Sequence, residues 1–301
     1  MKKRVVFLLA ACVALCCGSA SALSFARSDV KAQKLRGPVK KITAYNLYEA
    51  KYFHADTLAK YKRLGKPLPK FVRHLDMITT YDREGRKTSE YDDNMERKQV
   101  YEYDAPGHML YSKAVTEGKY SNRIYTMDIG VDGLPLKGVA VQKDGTPIFT
   151  ESYSATRLEN GNTLLRINHI LADGKAQESE MELRPDVTMQ KLNQNGTFIF
   201  DQQERPVEFI SPNGSQHLIM EYLPAAQRIF RITPEGKKYI FKTVAEDIYG
   251  NPLMEATYMP DGTQQSVSYE YQYDSQGNWI RQTKTAGEAK TYSERVIEYY
   301  K

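Results

Sequence analysis

Residue pairs that bend a chain sharply recur along this sequence and constrain it more than any other feature. Asp-Gly or Asn-Gly stands at Asp132-Gly133, Asp144-Gly145, Asp173-Gly174, Asn195-Gly196, Asn213-Gly214 and Asp261-Gly262. Such pairs supply the positive φ that a tight hairpin turn demands. A second turn type spaces Asp and Gly three apart, at Asp82 and Gly85, Asp104 and Gly107, and Asp274 and Gly277, each directly after a tyrosine. In a type I turn the Asp carboxylate accepts a hydrogen bond from the backbone ahead, and the Gly returns the chain into a strand.

Between the turns the chain alternates. Tyr101-Glu102-Tyr103 and Tyr269-Glu270-Tyr271-Gln272-Tyr273 place one residue type on one face at period two. The chain holds 22 Tyr, 19 Gly and 13 Pro, a strand former and two turn punctuators. Turn glycines recur at 22 residues, as from Gly85 to Gly107, and at 12, as from Gly133 to Gly145. These spacings predict an all-β fold, a single antiparallel meander of roughly 15–18 strands. A sheet that long should twist and curl into an open sheet or half-barrel. One segment, residues 48–70, breaks the pattern; a short helix over Asp56–Leu64, stopped by Gly65, fits it.

Tyr271-Gln272-Tyr273-Asp274-Ser275-Gln276-Gly277-Asn278-Trp279 resembles the unit of bacterial YD-repeat (RHS-repeat-like) proteins, and residues 81–87 and 101–110 fit it less fully. Leu35-Arg36-Gly37-Pro38-Val39-Lys40-Lys41-Ile42 also looks like the opening strand of small exported proteins of this sort. Convincing units cover about a quarter of the chain, and residues 115–245 keep the turn spacing without the Tyr-Asp signature. The resemblance implies an extended, curling sheet that serves as shell, scaffold or binding surface rather than as an enzyme.

Lys2, Lys3 and Arg4, an apolar run from Val5 to Cys17, and small residues ending in Ala20-Ser21-Ala22 make a secretory signal peptide. Cleavage after Ala22 would leave residues 23–301 as one domain, at home in the periplasm or at the cell surface. Leu9-Ala10-Ala11-Cys12 reads as a lipobox, so a lipid anchor at Cys12 is the alternative; the short apolar run it would leave favours simple cleavage. Cys12, Cys16 and Cys17 are the chain's three cysteines. A mature chain without them can form no disulfide, thiol nucleophile or thiolate metal site. Of 42 basic residues three lie in the signal, against 37 acidic ones, with no like-charge block. That balance gives no reason to expect a nucleic-acid partner.

His54 with Asp56 and His74 with Asp76 have metal-ligand spacing, but no third ligand follows either. Asp92, Asp93, Asn94 and Glu96 lack the glycine and the distal glutamate of a calcium loop. Asn213-Gly214-Ser215-Gln216-His217 reads as a turn rather than a catalytic pair, and no nucleophile elbow, phosphate loop or dinucleotide fingerprint occurs. No cofactor or metal is expected. The aromatic residues are the functional lead: Tyr101, Tyr103, Tyr111, Tyr120, Tyr125, Tyr269, Tyr271, Tyr273 and Trp279 can form stripes across neighbouring strands. Flat apolar faces with polar tips suit sugars and extended peptides, though the same residues also serve as cross-strand pairs. The expected function is non-catalytic, a binding module for a glycan, peptide or envelope protein. The alternatives are an assembly protein acting through sheet edges, or a hydrolase with a carboxylate pair.

Overall fold

The computed structural model describes residues 29–49, 55–194, 196–259 and 261–301. The signal segment with its three cysteines, His54 and Asn195 lie outside the described residues. Twenty strands follow one another, from β1 (Val39–Glu49) and β2 (Phe71–Tyr81) to β20 (Ala289–Tyr299), each antiparallel to its predecessor. Strand β1 pairs on one side with β2, where Ile42 faces Thr79, and on the other with β20, where Ile42 faces Ile297. The first strand thus joins the last, and the sheet is a closed barrel.

Closure corrects the expected open sheet or half-barrel, and the strand count exceeds the expected 15–18. Alternation along a strand says which face a residue takes, not which distant strand it will meet. Short strands raise the count in the stretch without the Tyr-Asp signature. There β11 (Met189–Asn193), β12 (Thr197–Phe200) and β13 (Pro206–Ile210) are only four or five residues each. Every described strand has two partners, which removes the free edges that strand-by-strand assembly needs.

The register assigns the two faces of the wall. Leu165, Met181, Leu192, Phe198, Phe209 and Leu218 stand opposite one another rung by rung across β9 (Thr163–Leu171), β10 (Ala176–Leu183), β11, β12, β13 and β14 (His217–Leu223). Leu165, Met181, Leu192 and Phe200 are buried and share a cluster with Leu183 and Met189. This is the inner face. The outer face carries cross-strand ion pairs all round: Lys41–Glu298 at 3.3 Å, Lys113–Glu102 at 2.8 Å, Arg166–Glu180 at 3.0 Å, Lys238–Glu221 at 2.8 Å and Arg281–Glu294 at 3.2 Å. A membrane-spanning barrel turns an apolar band outward. Here the outer face carries those ion pairs, and the buried apolar cluster lies on the inner face. Among the described residues no helix is long and apolar enough to cross a membrane.

Residues 29–37 cross one mouth of the barrel. They begin with a single helical turn, α1 (Asp29–Ala32). Asp29 Oδ2 accepts from Lys87 N at 2.6 Å, and Val30 N donates to Gly85 O at 3.0 Å. Farther round the rim, Lys34 Nζ donates to Gly250 O at 2.8 Å, and Arg36 exchanges two 2.8 Å bonds with Asn278. Val30 and Leu35 pack against Val39, Ile42, Tyr81 and Ile297. The connection at the opposite end of β1 holds α2 (Ala55–Arg63), largely exposed, followed by Gly65 at φ 61°.

Candidate functional site

The expected turn residues sit at the mouth that residues 29–37 cross. Gly85, Gly107 and Gly277 have φ of 79°, 80° and 82°. Asp82 Oδ1 accepts from Glu84 N and Arg86 N, and Asp274 Oδ1 accepts from Gln276 N and Asn278 N, all within 2.9–3.0 Å. Asp104 differs: its carboxylate meets His108 Nδ1 at 3.0 Å, while Gly107 N donates to Glu84.

Two further turns have the same construction. Asp247 Oδ1 accepts from Tyr249 N and Asn251 N, and Asp201 Oδ1 accepts from Gln203 N and Arg205 N. The Asp201 turn lacks glycine and puts Glu204 at φ 55°, which hid it in the sequence.

Each of these turns is locked by a tyrosine from a later strand, and this gives the Tyr-Asp signature a physical meaning. Tyr273 donates to Asp247 and Tyr299 donates to Asp274. In the other form an arginine after the turn bonds the Asp and stacks on the tyrosine. Arg86 lies 4.4 Å above Tyr103, and Arg205 lies 4.1 Å above Tyr222. Burial opposes the charge on Asp247, but hydrogen bonds from Tyr273 and Asn251 outweigh it and hold the carboxyl below the usual range. Burial, with the Asp274 carboxylate, pushes the Tyr299 phenol up to about 12.

Two arcs of rings lie on the inner wall. The first crosses from β4 (Arg97–Glu102) through β6 (Arg123–Ile129) and β8 (Pro147–Arg157) to β9. Its rings follow in order with centroid separations of 5.2 Å for Tyr101–Tyr111, 6.0 Å for Tyr111–Tyr125, 5.9 Å for Tyr125–Phe149 and 4.4 Å for Phe149–His169. Glu151 stands among them. Its Oε2 accepts from Tyr125 and Tyr153 at 2.7 Å each, and its Oε1 lies 3.1 Å from His169 Nδ1. Gly138, on β7 (Pro135–Gln142), makes room: a Cβ there would stand 2.4 Å from the Tyr125 hydroxyl and 2.9 Å from Glu151 Oε2. Burial raises the phenols of Tyr101, Tyr111, Tyr125 and Tyr153, with the Glu151 charge adding to the last three.

The second arc lies on β18 (Gln264–Tyr273) and β19 (Trp279–Ala286). Tyr269, Tyr271 and Tyr273 follow at 6.4 and 5.8 Å, and Trp279 stands 6.2 Å from Tyr271. The protein's own groups cover it. Arg295 lies 3.5 Å over Trp279 and Lys284 5.9 Å over Tyr269, while Glu255, which accepts from Tyr269, pairs with Lys242 at 2.6 Å. Burial lowers Arg295 to about 10.

Of the aromatic residues singled out in the sequence, Tyr101, Tyr111 and Tyr125 meet in the first arc, and Tyr269, Tyr271, Tyr273 and Trp279 in the second. Tyr103 stacks under Arg86, and Tyr120 is 74% exposed beyond β5 (Lys113–Gly118). Sequence reasoning missed Phe149, Glu151, Tyr153 and His169. The period-two run Phe149-x-Glu151-x-Tyr153 carried a signal that the Tyr-Asp search passed over.

His74 Nδ1 lies 2.9 Å from the Leu75 carbonyl, and Asp76 accepts from Asn46 and Asn94. Asp92 accepts from Met95 N within a tight turn. Among the described residues no group of three or more acidic, histidine or cysteine side chains could hold a metal ion. A recess of about 290 Å³ across β8, β9 and β10 is lined by Ser152, Ser154, Arg166, Asn168, Glu178 and Glu180 among others. Asn168 Oδ1 there is the buried side-chain atom without a hydrogen bond among the described residues. These side chains belong to the outer face; Tyr153 also borders the recess, but its hydroxyl donates to Glu151 on the inner wall, so the first arc brings more rings together.

No protein-family model matches the chain, and no curated protein matches it in sequence. Solved structures do align with it. A porin-like protein from Bacteroides uniformis is 13% identical, with a TM-score of 0.38, over 87% of this chain and 99% of that one. The TcdB2-TccC3-TEV structure is 11% identical, with a TM-score of 0.23, over 85% of this chain and 19% of that one. A functionally unknown protein from Desulfotomaculum acetoxidans is 12% identical, with a TM-score of 0.14, over 68% of this chain and 81% of that one. Likenesses at these scores leave function to this chain's own residues.

Proposed function

We propose that this is a non-catalytic exported protein of the cell envelope that holds a short glycan or extended peptide inside its barrel, against the first aromatic arc. The observation that carries the reading is the unbroken row of rings from Tyr101 to His169 on the inner wall. Such a row offers stacking faces in sequence to an extended ligand. Residues 29–37 bridge one mouth, which leaves the α2 end for entry. Charges around the outer wall suit a barrel lying in periplasmic or extracellular water rather than threading a bilayer. Export itself rests on the signal segment.

Calorimetric titration of residues 23–301 with cell-wall oligosaccharides and extended peptides tests the proposal. A ligand bound at micromolar concentration should lose at least tenfold in affinity with Tyr111→Ala and nothing with Tyr120→Ala. Equal losses from both variants, or no binding by any ligand, would overturn it.

A further inference from the structure

The two arcs differ in charge. In the second, each ring row and its carboxylate already have a cation of the protein's own: Arg295 over Trp279, Lys284 over Tyr269, Lys242 on Glu255. In the first, among the described residues, no lysine or arginine lies over the face of Tyr101, Tyr111, Tyr125, Phe149 or Tyr153; Arg97 and Arg123 act on Tyr101 and Tyr111 only from a distance. None lies within ion-pair distance of Glu151 either; its partners are two phenols and the His169 ring. Nor is that carboxylate sealed off, since the Glu151 side chain keeps 18% of its surface open and His169 keeps 26%.

Neutral donors such as the two phenols offset part of the cost of taking a carboxylate out of water, and a positive group offsets more of it. Ring faces bind cations through their quadrupole, more strongly as water is excluded. We propose that the ligand of the first arc carries an organic cation, an ammonium or guanidinium group, which seats against Glu151 and alongside the row of Tyr111, Tyr125 and Phe149. This deepens the proposed function and rests on it: the cation supplies the partner that Lys242 already supplies to Glu255 across the barrel. Gly138 fits the same reading, because any side chain there would displace the Tyr125 hydroxyl from Glu151 and fill the space beside the carboxylate.

The test uses matched pairs that differ only in charge, titrated calorimetrically into the chain spanning residues 23–301. One pair is a lysine-centred tripeptide with its norleucine counterpart; the other is a glucosamine trisaccharide with its N-acetylated form. The cationic member of a pair should bind at least tenfold more tightly, and Glu151→Gln should remove that advantage while the single Trp279 keeps its native emission. The pair showing the preference identifies the cation's source as peptide or amino sugar. Should Glu151→Gln unfold the protein, Phe149→Leu, which removes a ring and keeps the carboxylate, should still cut the cationic preference severalfold. Equal affinity within both pairs would overturn the cation assignment and leave the interior site standing. Absence of binding by all four compounds, and by the wider ligand set, would overturn the site itself.

Discussion

The two aromatic arcs are built from the same residue type on the same inner wall, yet their rings are partnered differently. In the second, tyrosines close turns: Tyr273 holds Asp247, Tyr271 donates to Pro252 O at 3.0 Å, and Trp279 lies under Arg295. Its rings are already partnered, so they stiffen the barrel. In the first arc the rings touch mainly one another and Glu151, and no described Lys or Arg covers them. A tyrosine stripe read from sequence can therefore be framework or site, and what separates the two is whether the protein spends its own cations and carboxylates on the rings.

Substitutions can break this comparison, and the largest stability effect should fall in the second region. Gly277 has φ 82°, and a Cβ there would stand 2.8 Å from the Tyr249 ring. Gly277→Val should cost about 2–4 kcal/mol through strain and overpacking. Urea unfolding followed by Trp279 emission reads this; a loss below about 1 kcal/mol would detach the turn from the arc it supports.

Next in size is a matched pair of hydroxyl and ring deletions. Tyr273→Phe removes the donor to Asp247 and should cost about 1–2 kcal/mol. Tyr111→Leu keeps apolar bulk and gives up ring contacts, about 0.5–1.5 kcal/mol, but should weaken ligand binding at least tenfold. If Tyr273→Phe damaged binding more than stability, the assignment of the arcs would be reversed.

The smallest effect is on acidity. Asp247 and Asp201 are held below the usual carboxyl range, against the opposing effect of burial, by hydrogen bonds: from Tyr273 and Asn251 for Asp247, and from Arg205 and Gln203 for Asp201. Groups with depressed folded values contribute stability that is present above their unfolded pKa, about 4, and fades as pH falls through the folded value. Melting temperature should therefore drop below about pH 4, and Asp247→Asn should flatten that limb. An unchanged acid limb in the variant would mean the turn does not rely on the charge.

Much of this was legible in the residues. Asp-x-x-Gly spacing marked turns such as Asp82–Gly85 and Asp274–Gly277, and period-two tyrosines marked the inner face. Other features left no local trace. The Asp201 turn was hidden because Glu204 takes the positive φ that glycine usually holds, with its own carboxylate accepting from Met189 N at 3.0 Å. Glu151 and His169 were missed because their partnership crosses from β8 to β9, where they face each other in register. Closure was missed for the same reason on a larger scale: nothing in the sequence of residues 39–49 announces that β20 will lie beside them.

That closure is the central claim, since it turns a sheet face into an interior, and a covalent probe tests it. Thr43 on β1 and Val296 on β20 are register partners, and residues 23–301 contain no cysteine. With Thr43→Cys and Val296→Cys installed together, air oxidation of the folded protein should give a single intramolecular disulfide, seen as loss of both alkylatable thiols in the monomer. Two freely alkylated thiols in a protein with native Trp279 emission would show that β1 and β20 stand apart and that the barrel is open.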